Sequence, residues 1–379
     1  MLSLVRILVP LLLGVFLNTV ALSEQNTLIP LWLSKADIST WQIGIVTSAY
    51  YAGTLIGTLL CGRTVLRLGY ARSYQLFCAL FVVCASGLWL PEHVLTWGIT
   101  RFLVGFACAG IWVSIESWLL TLGEPEERSG LLAVYMVVFY LGSVGGQLML
   151  SWTGSHFTTS MFWMSGLMLL AIIPMFAVPN EKMGHKADDV RLLPILKLPA
   201  ARIGILGCLL SGIVLGSLYG LLPLFLEHIR MDDAEVGRWM ALLISAAIVG
   251  QLPVGKMADK YGRHRILLLQ TGLIIACSVW LLFGHARWIL SIALVGVGFA
   301  AFTLYPIAMA LASEKVAKHE LVAMNQTLLI SYTVGSLSGP VVGSLMIEWM
   351  GYGGLFVLTA VVNVLFMWVL MRQPVAARD

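Results

Sequence analysis

The chain has 379 residues, of which 59% are apolar and only 11% charged, with a net charge of +4. A soluble domain carries about a quarter charged residues, so a soluble globular protein is excluded and a polytopic membrane protein is implied. No polar stretch is long enough to build a separate soluble domain.

Apolar runs long enough to cross the hydrocarbon core as helices recur along the whole length. Twelve spans are read, at 4–33, 41–62, 73–90, 95–121, 130–153, 160–179, 202–228, 234–255, 266–284, 287–312, 322–348 and 352–371. In the first span Arg6 precedes an apolar run that reaches Ala21, a pattern shared with secretory leaders. Glu24, Gln25, Asn26 and Thr27, with Asn18 and Thr19 before them, make this the most polar span interior of the chain. A carboxyl withdrawn from water can carry a proton, which makes Glu24 a candidate for that role. The alternative is that this part of the helix reaches the periplasmic interface and Glu24 is solvated.

The second span carries Gly53 and Gly57, and the fifth Gly142 and Gly146, in the small-residue spacing of close helix packing. The fourth span begins near Arg101 and holds Glu116 fifteen residues later. A charge inside a membrane costs about 2.5–3.5 kcal/mol on insertion scales, so each needs a reason. Arg101 either modulates a neighbouring acid or holds an anionic group, or else snorkels to the interface. At 1.5 Å per residue Glu116 lies about 22 Å farther along the axis, too far to pair with Arg101. It is a second proton or cation candidate, or a member of a cytoplasmic gate with loop arginines.

The most polar stretch, residues 180–201, joins residues 1–179 to residues 202–379 and reads as a cytoplasmic linker between two six-span bundles. Gly335, Gly339 and Pro340 in the eleventh span mark a hinge, since proline removes a helical hydrogen bond. The connections on one side of the membrane carry Arg63, Arg67, Arg72, Arg128, Lys182, Lys186, Arg191, Lys197, Arg202, Lys256, Lys260, Arg263, Arg265, Lys315 and Lys318, and the termini on that side add Arg6, Arg372 and Arg378. The opposite connections hold only Lys35, Arg230, Arg238 and Arg287. The positive-inside rule then places both termini in the cytoplasm.

The two halves repeat each other at a fixed offset of 193 positions. Pro30 pairs with Pro223, Gly44 with Gly237, Gly57 with Gly250, Gly105 with Gly298, Gly142 with Gly335 and Gly146 with Gly339. Internal duplication of a membrane unit is common among secondary transporters. The repeat also makes the first span part of the fold, so it is expected to be retained rather than removed as a leader. The six cysteines form no Cys-x-x-Cys pair, and no metal, nucleotide or nucleophile–base motif appears. An enzyme, a cofactor, a metal centre and a nucleic-acid partner are therefore not expected.

The segment Gly255-Lys-Met-Ala-Asp259-Lys-Tyr-Gly262-Arg263-His-Arg265 closely resembles the signature loop of the major facilitator superfamily. Arg101-Phe-Leu-Val-Gly105-Phe-Ala-Cys-Ala109 resembles that family's fourth-helix arginine motif, and Gly335-Ser-Leu-Ser-Gly339-Pro340 its glycine–proline hinge. The stretches Ser211–Gly220 and Ala323–Ser336 resemble the bacterial YcaD subfamily. The resemblance covers the whole chain. It implies an all-α integral membrane fold of twelve helices in two pseudo-symmetric bundles, working by alternating access at a site near the midplane. It also implies that Asp259, with Gly255, Gly262, Arg263 and Arg265, locks one transport state.

Two departures matter. Leu66 stands where the second copy of the loop has Asp259, and Gln147 stands where the antiporter signature has a hinge proline. By analogy with the family, Asn26, Trp112, Tyr219, Tyr305, Asn325 and Gln326 are candidates for the substrate cavity. The expected function is secondary transport of a small organic solute across a bacterial inner membrane, coupled to protons through Glu24, Arg101 and Glu116, with export favoured. Nutrient uptake, uniport and a non-transporting membrane sensor are the alternatives. The expected partners are the solute, protons and the lipid bilayer, and the expected oligomeric state is a monomer.

Overall fold

The computed structural model describes residues 2–91, 93–119, 121–122, 128–154, 156–180, 202–284, 286–313 and 321–372. Among these, twelve helices are long and apolar enough to cross a membrane. They are α1 (Leu2–Lys35), α2 (Thr40–Leu68), α3 (Tyr70–Ala85), α4 (Val94–Leu119), α5 (Arg128–Thr153), α6 (Phe157–Ile172), α7 (Arg202–His228), α8 (Asp233–Tyr261), α9 (Arg263–Phe283), α10 (Arg287–Ser313), α11 (Leu321–Met350) and α12 (Gly354–Arg372). Short 3-10 turns at Ser86–Trp89 and Ile173–Ala177 finish the third and sixth spans, which the sequence reads as single runs. The linker expected over 180–201 lies, from residue 181 on, outside the described residues.

Contacts divide the chain into two compact units. One comprises Met1–Lys186 with Arg230–Ala241, the other Ala187–Ile229 with Leu242–Asp379. In the first unit α2 packs along α4 and α1 along α5. In the second unit α11 packs along α7. Glycines make these approaches close enough for backbone contact. A methyl group at Gly142 would strike Thr19, and one at Gly146 the carbonyl of Val20. At the equivalent places in the second unit, Gly335 faces the carbonyl of Leu209 and Gly339 that of Ile213.

The α2–α3 and α8–α9 turns show the same economy. Gly69 and Gly262 sit at φ 85° and φ 94°, a region that side chains disfavour. The turn geometry of the signature loop is thus present in both copies, although its acidic residue is present in one.

The core of the first unit is aromatic on its α1–α3–α4 side. Tyr70 stacks on Trp118 at 5.7 Å, and Asn18 Nδ2 donates to Tyr74 Oη at 2.7 Å. All six cysteines are free thiols.

Candidate functional site

The polar part of α1 is buried inside the first unit rather than solvated at an interface. Glu24, Gln25 and Thr27 have no exposed surface, and Asn26 is half-buried. Successive residues of a helix are turned by about 100°, so these side chains divide between two faces of α1.

One face meets α4. Arg101 is 2% exposed, which rules out a side chain reaching for the interface. Its Nη1 donates to Gln25 Oε1 at 3.1 Å and its Nη2 to Asn26 Oδ1 at 2.7 Å. The guanidinium lies over the Tyr50 ring, 4.5 Å from the centroid, a favourable placement for a desolvated cation. Its Nε and the Nε2 of Gln25 have no hydrogen-bond partner among the described residues. No carboxylate touches it there.

The other face meets α5 and α6. Thr153 Oγ1, from the last residue of α5, donates to Glu24 Oε1 at 3.1 Å, while Oε2 accepts no hydrogen bond. Ser160 of α6 donates to Thr153 Oγ1 at 3.3 Å. One turn away Gln147 Nε2 donates to the carbonyl and hydroxyl oxygens of Ser23 at 2.8 and 2.9 Å, and its Oε1 accepts from Thr27 at 2.9 Å. Where the family's antiporter signature has proline, this chain has an amide that clamps α5 to α1. Glu24 and the two residues that Arg101 holds, Gln25 and Asn26, are therefore neighbours along α1 yet face different helices.

Glu116 lies apart from both. Its side chain is on an exposed face of α4 and accepts a hydrogen bond from Tyr135 Oη at 3.0 Å. Trp112 packs edge-on to Phe139 at 5.5 Å. In the second unit Tyr219 meets Phe302 at 5.7 Å and Tyr305 meets Tyr332 at 4.9 Å. These three aromatics are half-buried, whereas Asn325 and Gln326 are exposed on α11. α11 continues as helix through Gly335, Gly339 and Pro340.

In the signature loop Asp259 is held by Arg263 one turn later at 3.6 Å, with its side chain 74% exposed. Arg263 Nη1 also donates to the carbonyl of Ala310 at 3.0 Å, which ties the loop to α10. Gly255 has open space around its Cα, and Arg265 is exposed.

Several contributors carry no sequence signal. Thr153 and Ser160 are ordinary span-end residues until the fold brings them to Glu24. Asn180, in sequence the start of the linker, bridges the α2–α3 turn. Its Nδ2 donates to the carbonyl of Leu68 at 2.8 Å and its Oδ1 accepts from the amide of Arg72 at 3.2 Å. Lys35 and Asp233 pair at 2.7 Å, within the first unit. Among the described residues no cluster of His, Cys, Asp and Glu could hold a metal ion.

Comparison with known proteins agrees with this architecture. The chain matches the model of the Major Facilitator Superfamily over residues 11–328 and 205–379. It is 46% identical over 365 residues to an uncharacterized MFS-type transporter of Yersinia pestis, covering 96% of this chain and 95% of that protein. It is 44% identical over 364 residues to the uncharacterized MFS-type transporter YcaD of Escherichia coli, covering 96% and 94%. Among solved structures it is similar in fold to the nucleoside transporter NupG, with a TM-score of 0.82 at 13% identity over 96% of this chain and 98% of that one. It is also similar to a bacterial homologue of the lysosomal transporter Spinster, with a TM-score of 0.74 at 15% identity over 97% and 95%. The fold, the duplicated motifs and these relatives together establish that the chain belongs to the major facilitator superfamily and is a multi-pass membrane transporter, not an enzyme.

Proposed function

We propose that this transporter moves a small organic solute across a bacterial inner membrane in exchange for protons, with Glu24 as the group that takes up and releases the proton. The observation that carries the reading is the setting of Glu24. It is a fully buried carboxyl beside the hydroxyls of Thr153 and Ser160, with one oxygen that accepts no hydrogen bond and no cation in contact among the described residues. An intramembrane acid without a cationic partner is expensive unless it serves the transport cycle. Arg101 provides a fixed buried cation on the opposite face of α1. Glu116, hydrogen-bonded to Tyr135, is the second protonatable position.

Export is the proposed direction, and it rests on the resemblance of the Arg101–Ala109 segment to the family's fourth-helix arginine motif. The pathway residues proposed are Asn26, Trp112, Tyr219, Tyr305, Asn325 and Gln326. All six carry uncharged side chains, which supports a neutral or singly charged solute over a sugar phosphate. Gly335, Gly339 and Pro340 are proposed as a hinge, and Asp259 with Arg263 as the cytoplasmic lock.

The test is thermal stabilisation of the purified protein against a broad metabolite and drug library, at about pH 5.5 and about pH 8, because a ligand that binds the folded state raises apparent stability. The reading expects a hit whose shift depends on pH and disappears in Glu24→Gln. A hit that is insensitive to pH and unchanged in both Glu24→Gln and Glu116→Gln overturns proton coupling and leaves uniport. Orientation is tested by cysteines placed at positions 156 and 188 in a background without the native thiols. Labelling from the periplasm at 156 alone supports cytoplasmic termini, and equal labelling contradicts them.

A further inference from the structure

We infer that Glu24 exchanges its proton through Thr153, at the α5–α6 turn of its own unit, with Ser160 as the residue that orients Thr153. The inference rests on the reading of Glu24 as the proton-carrying group, and it assigns the route. Three observations lead there.

The first is direction. Residues 24 and 26 are about 200° apart around α1, and the contacts agree. Gln25 and Asn26 are engaged by Arg101, whereas the carboxyl of Glu24 touches Thr153. The proton site therefore opens away from the Arg101 face.

The second is a gradient of burial. Glu24 and Ser160 have no exposed surface. Thr153 is half-buried, and it is the last residue of α5 before the turn at Gly154, whose φ is 59°. Beyond the turn His156 is exposed. Thr153 thus touches the buried carboxyl while lying next to the exposed side of the turn.

The third is hydrogen-bond arithmetic. A hydroxyl has one proton to donate and can accept on its lone pairs. Thr153 Oγ1 lies 3.1 Å from Glu24 Oε1, 3.1 Å from the Met149 carbonyl and 3.4 Å from the Gly154 carbonyl, so its proton has alternative acceptors. Ser160 donates to Thr153 Oγ1 and fills an acceptor position on it. The other ionisable groups on the neighbouring elements are otherwise engaged or distant. Arg101 is held by Gln25 and Asn26, Lys35 and Asp233 pair with each other, and His156 sits at the turn.

The step is a relay. A hydronium ion from the bulk solvent gives a proton to Thr153 Oγ1 and is left as water, as the hydroxyl's own proton passes to the ionised Glu24 Oε1. One O–H bond forms and one breaks on Thr153, which ends neutral. The hydroxyl then turns back through its carbonyl acceptors, and release runs the same path in reverse. Separations near 3 Å are within reach of proton transfer.

Infrared difference spectroscopy of the purified, lipid-reconstituted protein tests this without a known solute. The carboxyl band that titrates in wild type and vanishes in Glu24→Gln reports Glu24, and its rise after a pH jump gives the rate. Thr153→Val keeps the shape and removes the hydroxyl. It is expected to slow that rate on the order of 100-fold, and Thr153→Ser to restore it. Ser160→Ala is expected to slow it less. Equal rates in wild type and Thr153→Val overturn the inference. So does a shifted titration midpoint with an unchanged rate, which makes Thr153 a hydrogen-bond donor only. Should Glu24→Gln remove no band, the reading of Glu24 itself fails, a result distinct from either. If Thr153→Val does not fold, Thr153→Ala and Thr153→Cys carry the same comparison.

Discussion

The two units use one packing scheme for two different interiors. At the 193-residue offset, Gly142 and Gly146 of α5 become Gly335 and Gly339 of α11, and each pair presses against the backbone or side chains of the first helix of its unit. The chemistry does not repeat. Glu24 becomes Ser217, Gln25 becomes Leu218, Arg101 becomes Leu294, Gln147 becomes Pro340, Thr153 becomes Met346 and Ser160 becomes Gly353. In the second unit the interior hydrogen bonds are short and neutral, such as Gln270 Nε2 to Thr303 Oγ1 at 2.7 Å and Ser278 to Thr359 at 3.0 Å. The lesson is that duplication preserved what backbone proximity demands and released what it does not. A glycine at a helix contact has no substitute of its size, whereas a buried charge survives only where it serves a purpose.

That contrast is sharpest at Glu24 and Ser217. Replacing Glu24 with Gln keeps the shape and abolishes the exchangeable proton. Proton-driven solute movement in proteoliposomes is expected to fall on the order of 100-fold, with its pH dependence lost. Among the described residues Ser217 donates to the carbonyl of Ile213 in its own helix, so Ser217→Ala is expected to leave flux and pH dependence unchanged. Loss of coupling in Ser217→Ala would place the proton chemistry in both units and break the comparison.

The shared packing makes the opposite forecast. Gly146→Val and Gly335→Val each drive a side chain into a backbone carbonyl, of Val20 and of Leu209. Overpacking of this kind costs about 1–3 kcal/mol. Thermal melts are expected to show losses of similar size in the two variants. A large loss in one and none in the other would mean that the two contacts bear different loads.

The fold was largely legible in the sequence because its signals are local. Span lengths follow from hydrophobic runs, and the repeat follows from glycines at one offset. Glu24 and Arg101 stood out as charges within apolar runs. Their partners did not. Thr153 and Ser160 lie 129 and 136 positions from Glu24, and a threonine or serine at a span end is unremarkable by itself. The sequence suggests that Arg101 could act on a neighbouring acid, yet the rotation of α1 turns Glu24 toward α5 and Gln25 and Asn26 toward Arg101. Side-chain direction around a helix axis settles such a pairing, and nearness in sequence does not.

The smallest effects concern the two loops, where decay of a motif and loss of a function are different things. Leu66 stands in the first loop where Asp259 stands in the second. By motif the second loop is intact and the first degraded, so Asp259→Asn should cost more than any change near Leu68. The contacts argue the reverse for stability. Asp259 is mostly exposed and holds Arg263 at 3.6 Å, an exposed one-turn pair of a kind that contributes about 0.2–0.5 kcal/mol. Asn180 makes two hydrogen bonds across the first turn, to Leu68 and Arg72, and each such bond contributes about 1 kcal/mol net. Asn180→Ala is therefore expected to lower the melting temperature more than Asp259→Asn, and high salt to shrink only the Asp259 effect. If Asp259→Asn proves the more costly, the lock in the second loop depends on contacts beyond its one-turn pair. If the order holds, the first loop has exchanged a charged clamp for an amide drawn from the end of its own bundle.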